Sequence, residues 1–137
     1  MKRILLTAAA MTLLGASLLP AQNKYEKPKS IIHVVTLVYK EGTTPEQRQA
    51  VLDGIEKMAG AIPGLNRVWL KSVKVQGGYV QKLPSGEVKV HNFTDAFVME
   101  FANEKAFKTY DDHPAHRAWE KVYLEVRGRS STSDITN

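Results

Sequence analysis

The segment Ile31-Ile32-His33-Val34-Val35-Thr36-Leu37-Val38-Tyr39-Lys40 constrains this chain more than any other. Its β-branched and aromatic residues read as a strand. Side chains alternate across a strand. Ile32, Val34, Thr36 and Val38 therefore share one face, and Ile31, His33, Val35, Leu37 and Tyr39 the other. Both faces are mostly apolar, so both must be covered. A chain that can cover only one of them has to find the second cover outside itself.

The covers come in chain order. Thr44, Pro45 and Gln47 form a capping box that starts a helix. Val51, Leu52, Ile55, Met58, Ala59 and Ile62 give that helix one apolar face, and Ile62-Pro63-Gly64 stops it. Asn66 to Val75 reads as a second strand. Gly77-Gly78 and Leu83-Pro84-Ser85-Gly86 frame an exposed hairpin from Tyr79 to His91. Asp95 to Ala102 is a third main strand, with Phe97, Met99 and Phe101 on one face and Ala96, Val98 and Glu100 on the other. Asn103 caps a short helix carrying Ala106, Phe107 and Tyr110. Pro114 opens another that runs to Val126 with a stripe of Ala115, Ala118, Trp119, Val122, Tyr123 and Val126. Arg127 to Asn137 is a polar final strand. This is the βαββαβ order of a ferredoxin-like unit, an α+β fold with one antiparallel sheet and helices on one face. Those helices cover one side of the first strand. A second copy pairing sheet to sheet is the expected cover for the other, which makes a homodimer.

The start of the chain has a different character. Met1-Lys2-Arg3 is basic, Ile4 to Leu19 is uncharged and rich in Leu and Ala, and Ala21 is small. That order reads as a signal peptide over residues 1–21, with a flexible lead-in over 22–30 and a domain over 31–137. The apolar run is shorter than the ~20 residues of a membrane span, so no stable span is expected after cleavage. The protein is expected to be exported, periplasmic or secreted. There is no cysteine, so the domain is held by packing without disulfides. Of the net charge of +5, two units sit at Lys2 and Arg3. No basic stripe with interleaved aromatics remains, and nucleic acid is not an expected partner.

Chemistry concentrates in Tyr110-Asp111-Asp112-His113-Pro114-Ala115-His116-Arg117-Ala118-Trp119. Proline at the first helical position places His113 near the N-cap and His116 in the first turn. Tyr110 ends the preceding helix, so a Tyr and a His converge from two sides of a corner as a candidate acid–base pair. Burial and the helix N-terminus both disfavour a charged ring at His116, so a neutral base is expected. His113-x-x-His116 lacks a third ligand at a recognised spacing, and no metal site is expected. Phe97, Phe101, Phe107, Trp119 and Tyr123 are expected to line a pocket with few polar groups for a small apolar or aromatic molecule.

Three stretches carry a resemblance: His33 to Lys40, Ile62-Pro63-Gly64, and Tyr110-Asp111-Asp112-His113-Pro114-Ala115-His116. They resemble the opening strand, the helix-ending turn and the Tyr…His-Pro-x-His corner of the dimeric α/β-barrel domain family, the stress-responsive A/B barrel proteins. The resemblance implies ferredoxin-like units whose sheets pair into a dimeric barrel. The family's catalytic relative, a plant olivetolic acid cyclase, closes a linear polyketide by aldol chemistry without a cofactor. Its catalytic Tyr and His correspond to Tyr110 and His116, and its first-strand His to His33. The expected function is the binding of a small apolar or aromatic molecule between sheet and helices. The alternative is a cofactor-independent cyclase, isomerase or lyase using Tyr110 and His116, with His33 in support. The segment from Gln76 to Asn92 is longer than the family's usual connection, and the final strand is more polar.

Overall fold

The computed structural model describes residues 29–136. The readings of residues 1–21 as a leader and of most of 22–30 as a lead-in lie outside them. The elements are β1 (Ile31–Tyr39), α1 (Pro45–Ala61), β2 (Leu65–Trp69), β3 (Gly78–Lys82), β4 (Val88–Asn92), β5 (Asp95–Phe101), α2 (Glu104–Asp112), α3 (Pro114–Val126) and β6 (Arg127–Ile135). Four strands form one antiparallel sheet in the order β2-β5-β1-β6, and β3 and β4 form a separate hairpin. This is the ferredoxin-like arrangement, with helices on one face.

The capping box forms as the residues require. The Thr44 hydroxyl accepts from the Gln47 N–H at 3.3 Å, and the Gln47 side chain accepts from the Thr44 N–H at 2.9 Å. Gly64 has φ +84°, a conformation that suits a residue without Cβ. It turns the chain from α1 into β2, and its carbonyl accepts from the Ala102 N–H at 2.8 Å.

β1 lies between β5 and β6, so its backbone is paired on both edges. Its Ile31, Val35, Leu37 and Tyr39 join Phe97, Met99 and Phe101 of β5 under the helices. α1 contributes Val51, Ile55 and Met58 to this core, and α3 contributes Trp119, Tyr123 and Val126. The covered face is thus the one that carries His33. Ile32, Val34, Val38, Ala96 and Val98 on the opposite face remain partly exposed, with Trp69 47% exposed beside them.

One strand departs from the sequence reading, and one that the sequence marks only weakly forms as expected. The second strand ends at Trp69, not Val75. The apolar alternation of Val73 and Val75 is there, but no strand pairs with that stretch, and Val73 is 99% exposed. β6, polar as it is, pairs with β1 from Ile32↔Ile135 to Tyr39↔Arg127. An edge strand needs only its backbone to pair, and polar side chains there oppose further edge-to-edge association.

Phe101 is fully buried at the centre of the core. Phe101→Ala should therefore lower the stability of unfolding by about 3–5 kcal/mol. Urea titration followed by circular dichroism measures this, and a loss below ~1 kcal/mol would show that the core does not depend on this ring.

Candidate functional site

The corner between α2 and α3 is dictated by Pro114. A residue before proline is pushed out of the helical region, and His113 is extended at φ −66°, ψ 134°. His113 is at once the C-cap of α2 and the N-cap of α3: its N–H donates to the Tyr110 carbonyl at 3.1 Å, and its Nδ1 accepts from the Ala115 N–H at 3.2 Å. Its Nδ1 is thus committed to capping. Among the described residues, no three His, Cys, Asp or Glu side chains are placed to share a metal ion.

The sharp turn brings Tyr110 and His116 together, with ring centroids 4.0 Å apart. Both side chains are buried. His116 Nδ1 lies 3.1 Å from the Asp111 carbonyl, one of the unpaired carbonyls at the end of α2. A carbonyl can only accept, so this bond puts a proton on Nδ1, and the neutral ring then carries its lone pair on Nε2. His33 reaches the same place from β1, 5.8 Å from the Tyr110 ring. Its Nδ1 is hydrogen-bonded to Asp134 Oδ1 at 2.6 Å, across the register pair His33↔Asp134.

These three rings line one open cavity of about 200 Å³ between the sheet, the corner and β6. Phe97, Trp119 and Tyr123 line it as well. Phe101 and Phe107 do not. They pack behind the site against Tyr110 and His33, with Phe101 5.0 Å from the Tyr110 ring and Phe107 5.7 Å from the His33 ring. The cavity is also more polar than an all-aromatic pocket, because Glu120, Arg127, Ser130 and Thr132 reach it. Ser130, Thr132 and Asp134 sit at every second position of β6, on the face that meets His33, Val35 and Leu37. That alternation is present in the sequence, but it carries meaning only once β6 is known to pair with β1.

Burial pushes the Tyr110 hydroxyl well above the ordinary tyrosine range, and the negative charges of Asp111 and Glu120 push it the same way. Tyr110 is therefore a hydrogen-bond donor at any physiological pH. Tyr123 is also raised by burial, opposed by Ser130 and Arg127, although its hydroxyl makes no hydrogen bond of good geometry among the described residues. Tyr39 is pushed up to about 12, again by burial first, with Asp95 adding to it.

Residues 31–137 match the stress responsive A/B barrel domain family, and the chain belongs to it. The backbone is similar to that of a dimeric ferredoxin-like protein from Thermobifida fusca (23% identity, 84% of this chain and 97% of that one, TM-score 0.59). It is also similar to a hydroxynitrile lyase from Passiflora edulis (15% identity, 79% and 93%, TM-score 0.61). A cofactor-independent oxygenase from Streptomyces nogalater has the same fold (11% identity, 80% and 93%, TM-score 0.58). No curated protein matches this sequence. One fold thus carries unlike chemistries, and likeness of fold alone assigns none of them.

The raised tyrosines have a measurable consequence. In the unfolded chain they titrate near pH ~10. Above that pH the unfolded state releases protons that the folded state keeps, so stability is full below pH ~10 and falls as pH rises beyond it. Urea midpoints measured from pH 8 to 11 should drop above about 10, and Tyr110→Phe should flatten part of that drop. The same fall in Tyr110→Phe as in the parent would assign it to other groups.

Proposed function

We propose that this protein binds a small carbonyl compound with an aromatic or other apolar body in the cavity and moves a proton on it by acid–base chemistry. The observation that carries this is the orientation of His116: Nδ1 is tied to the Asp111 carbonyl, and the ring stands 4.0 Å from that of a protonated tyrosine in an open cavity. A base with one free nitrogen and a donor that does not ionise are what abstraction of a proton next to a carbonyl requires.

In the proposed step, His116 Nε2 takes a proton from the carbon beside the carbonyl. The electron pair of that C–H bond becomes the new C=C bond, and the carbonyl π pair moves onto oxygen. Tyr110 donates a hydrogen bond to the oxyanion and keeps its own proton. The resulting enolate is reprotonated, or it forms or breaks a neighbouring carbon bond. Phe97, Trp119 and Tyr123 hold the apolar body of the substrate. A cavity of about 150 Å³ accommodates a benzene ring, so the space here suits a single ring with a short substituent. The lyase and the oxygenase of similar fold support the reading only as evidence that the fold accommodates catalysis.

We further propose that the working form is an exported homodimer, joined through the sheet face of Ile32, Val34, Val38 and Val98. That face is only partly covered within the described residues, and several solved structures of similar fold are dimers. Val34→Glu places a charge at the centre of it. Light scattering at micromolar concentration should give twice the protomer mass for the parent and the protomer mass for this variant. A parent that is already monomeric would remove the proposal.

Phenylacetone tests the chemistry directly, through exchange of its α-protons in deuterium oxide followed by proton NMR. The protein should accelerate exchange, and His116→Gln should abolish the acceleration while leaving binding within about threefold. Tyr110→Phe should lower the rate by about 10²-fold, in the range of losing one oxyanion donor. Saturable binding without any accelerated exchange would point to a carrier that holds its ligand unchanged, a reading that the three aromatic walls also support.

A further inference from the structure

We infer that Gly54 and Trp119 together set the size limit of the cavity: the indole is a partition between it and an outer groove, and Gly54 is the residue that lets the indole stand there. The inference rests on the proposed function only in treating the inner cavity as the place where substrate sits.

Trp119 lines two separate spaces. One is the inner cavity of about 200 Å³ that holds His33, Tyr110 and His116. The other is a groove of about 490 Å³ between α1 and α3, walled by Ala50, Gly54, Met58, Ala115 and Ala118. No residue of α1 lines the inner cavity. The inner cavity thus lies on the side of the indole away from α1.

Several contacts hold the ring in this position. Its Nε1–H donates to the Val51 carbonyl at 2.9 Å. It stacks on Tyr123 at 4.8 Å between centroids and meets Phe97 edge-on at 5.9 Å. On the α1 side it stands where a side chain would otherwise be. A Cβ at position 54 would lie 2.5 Å from Trp119 Cδ1 and 3.3 Å from Nε1. Carbon atoms in contact sit about 3.5–4.0 Å apart, so any residue but glycine moves the indole. Glycine weakens a helix interior relative to alanine, and Gly54 lies within α1. The close approach of the indole is what that weakness permits.

Substitution on either side of this contact has a defined effect. A side chain at position 54 drives the ring away from α1, off the Val51 carbonyl and into the inner cavity. A smaller ring at position 119 opens the inner cavity toward the groove, so the site accepts a fused two-ring compound that the indole now excludes.

The test uses the full mature chain, ¹⁵N-labelled, with Trp69→Phe to assign the two indole N–H resonances. The probes are phenylacetone, with one ring, and 1-(2-naphthyl)propan-2-one, with two. Gly54→Ala should move the Trp119 indole resonance and weaken phenylacetone binding at least tenfold. Trp119→Phe should bind the naphthyl ketone at least tenfold more tightly than the parent does. Gly54→Ala combined with Trp119→Ala should bind phenylacetone within threefold of Trp119→Ala alone, because no ring atom then meets the new methyl. An unmoved indole resonance in Gly54→Ala overturns the inference, and so does a Trp119→Phe variant with unchanged ring-size selectivity. If Gly54→Ala does not fold, the selectivity of Trp119→Phe decides alone. A parent that binds neither ketone defeats the proposed function, while the indole resonance still decides the partition.

Discussion

A strand paired on both edges and apolar on both faces has no side left for water, and β1 is such a strand. The arrangement of the molecule comes from meeting that demand. Its edges take β5 and β6. One face takes α1 and α3, whose apolar stripes are spaced to meet it. The other face is left with Ile32, Val34 and Val38 partly bare. The single polar residue on the covered face, His33, is tolerated because Asp134 on the neighbouring strand supplies a hydrogen bond. The need to cover β1 therefore also sets the position of one wall of the cavity.

The parts of this structure that are legible in the sequence are those governed by short-range rules. The capping box at Thr44, the stop at Ile62-Pro63-Gly64 and the corner at His113-Pro114 each depend on a few adjacent residues, and each stands where its residues place it. Tyr110 and His116 are readable for the same reason, being six positions apart across one turn. What is not legible depends on partners distant in the chain. Val73 and Val75 have a strand's alternation but nothing to pair with. Phe101 and Phe107 look like pocket residues by type, yet they lie on the far side of Tyr110 and His33. The polar row Ser130, Thr132 and Asp134 has the character of an edge strand's solvent face, and it shares the face of His33 and Val35 only because β6 joins β1.

The pocket differs in kind from a plain hydrophobic cleft. Aromatic walls without polar groups would favour any apolar molecule that fits. Here a row of hydroxyl and charged groups from β6 faces Trp119 and Tyr123 across a small space. A molecule that fills it has to present polar atoms on one side and carbon on the other, which fixes its orientation relative to His116. Under the proposed function that orientation matters, since the reacting carbon has to lie within reach of one nitrogen.

The two halves of the site also differ in how they come together during folding. Tyr110 and His116 belong to one corner, and a single residue, His113, ends one helix and begins the next. Such local contacts form early, because little chain has to be ordered to make them. The opposite wall requires the bond between His33 and Asp134, whose residues are 101 positions apart. Closing a loop of that length is entropically costly and belongs to the slow part of folding a sheet. The Tyr–His pair thus rests on contacts within one corner, and the pairing of β6 with β1 gives that corner its facing wall.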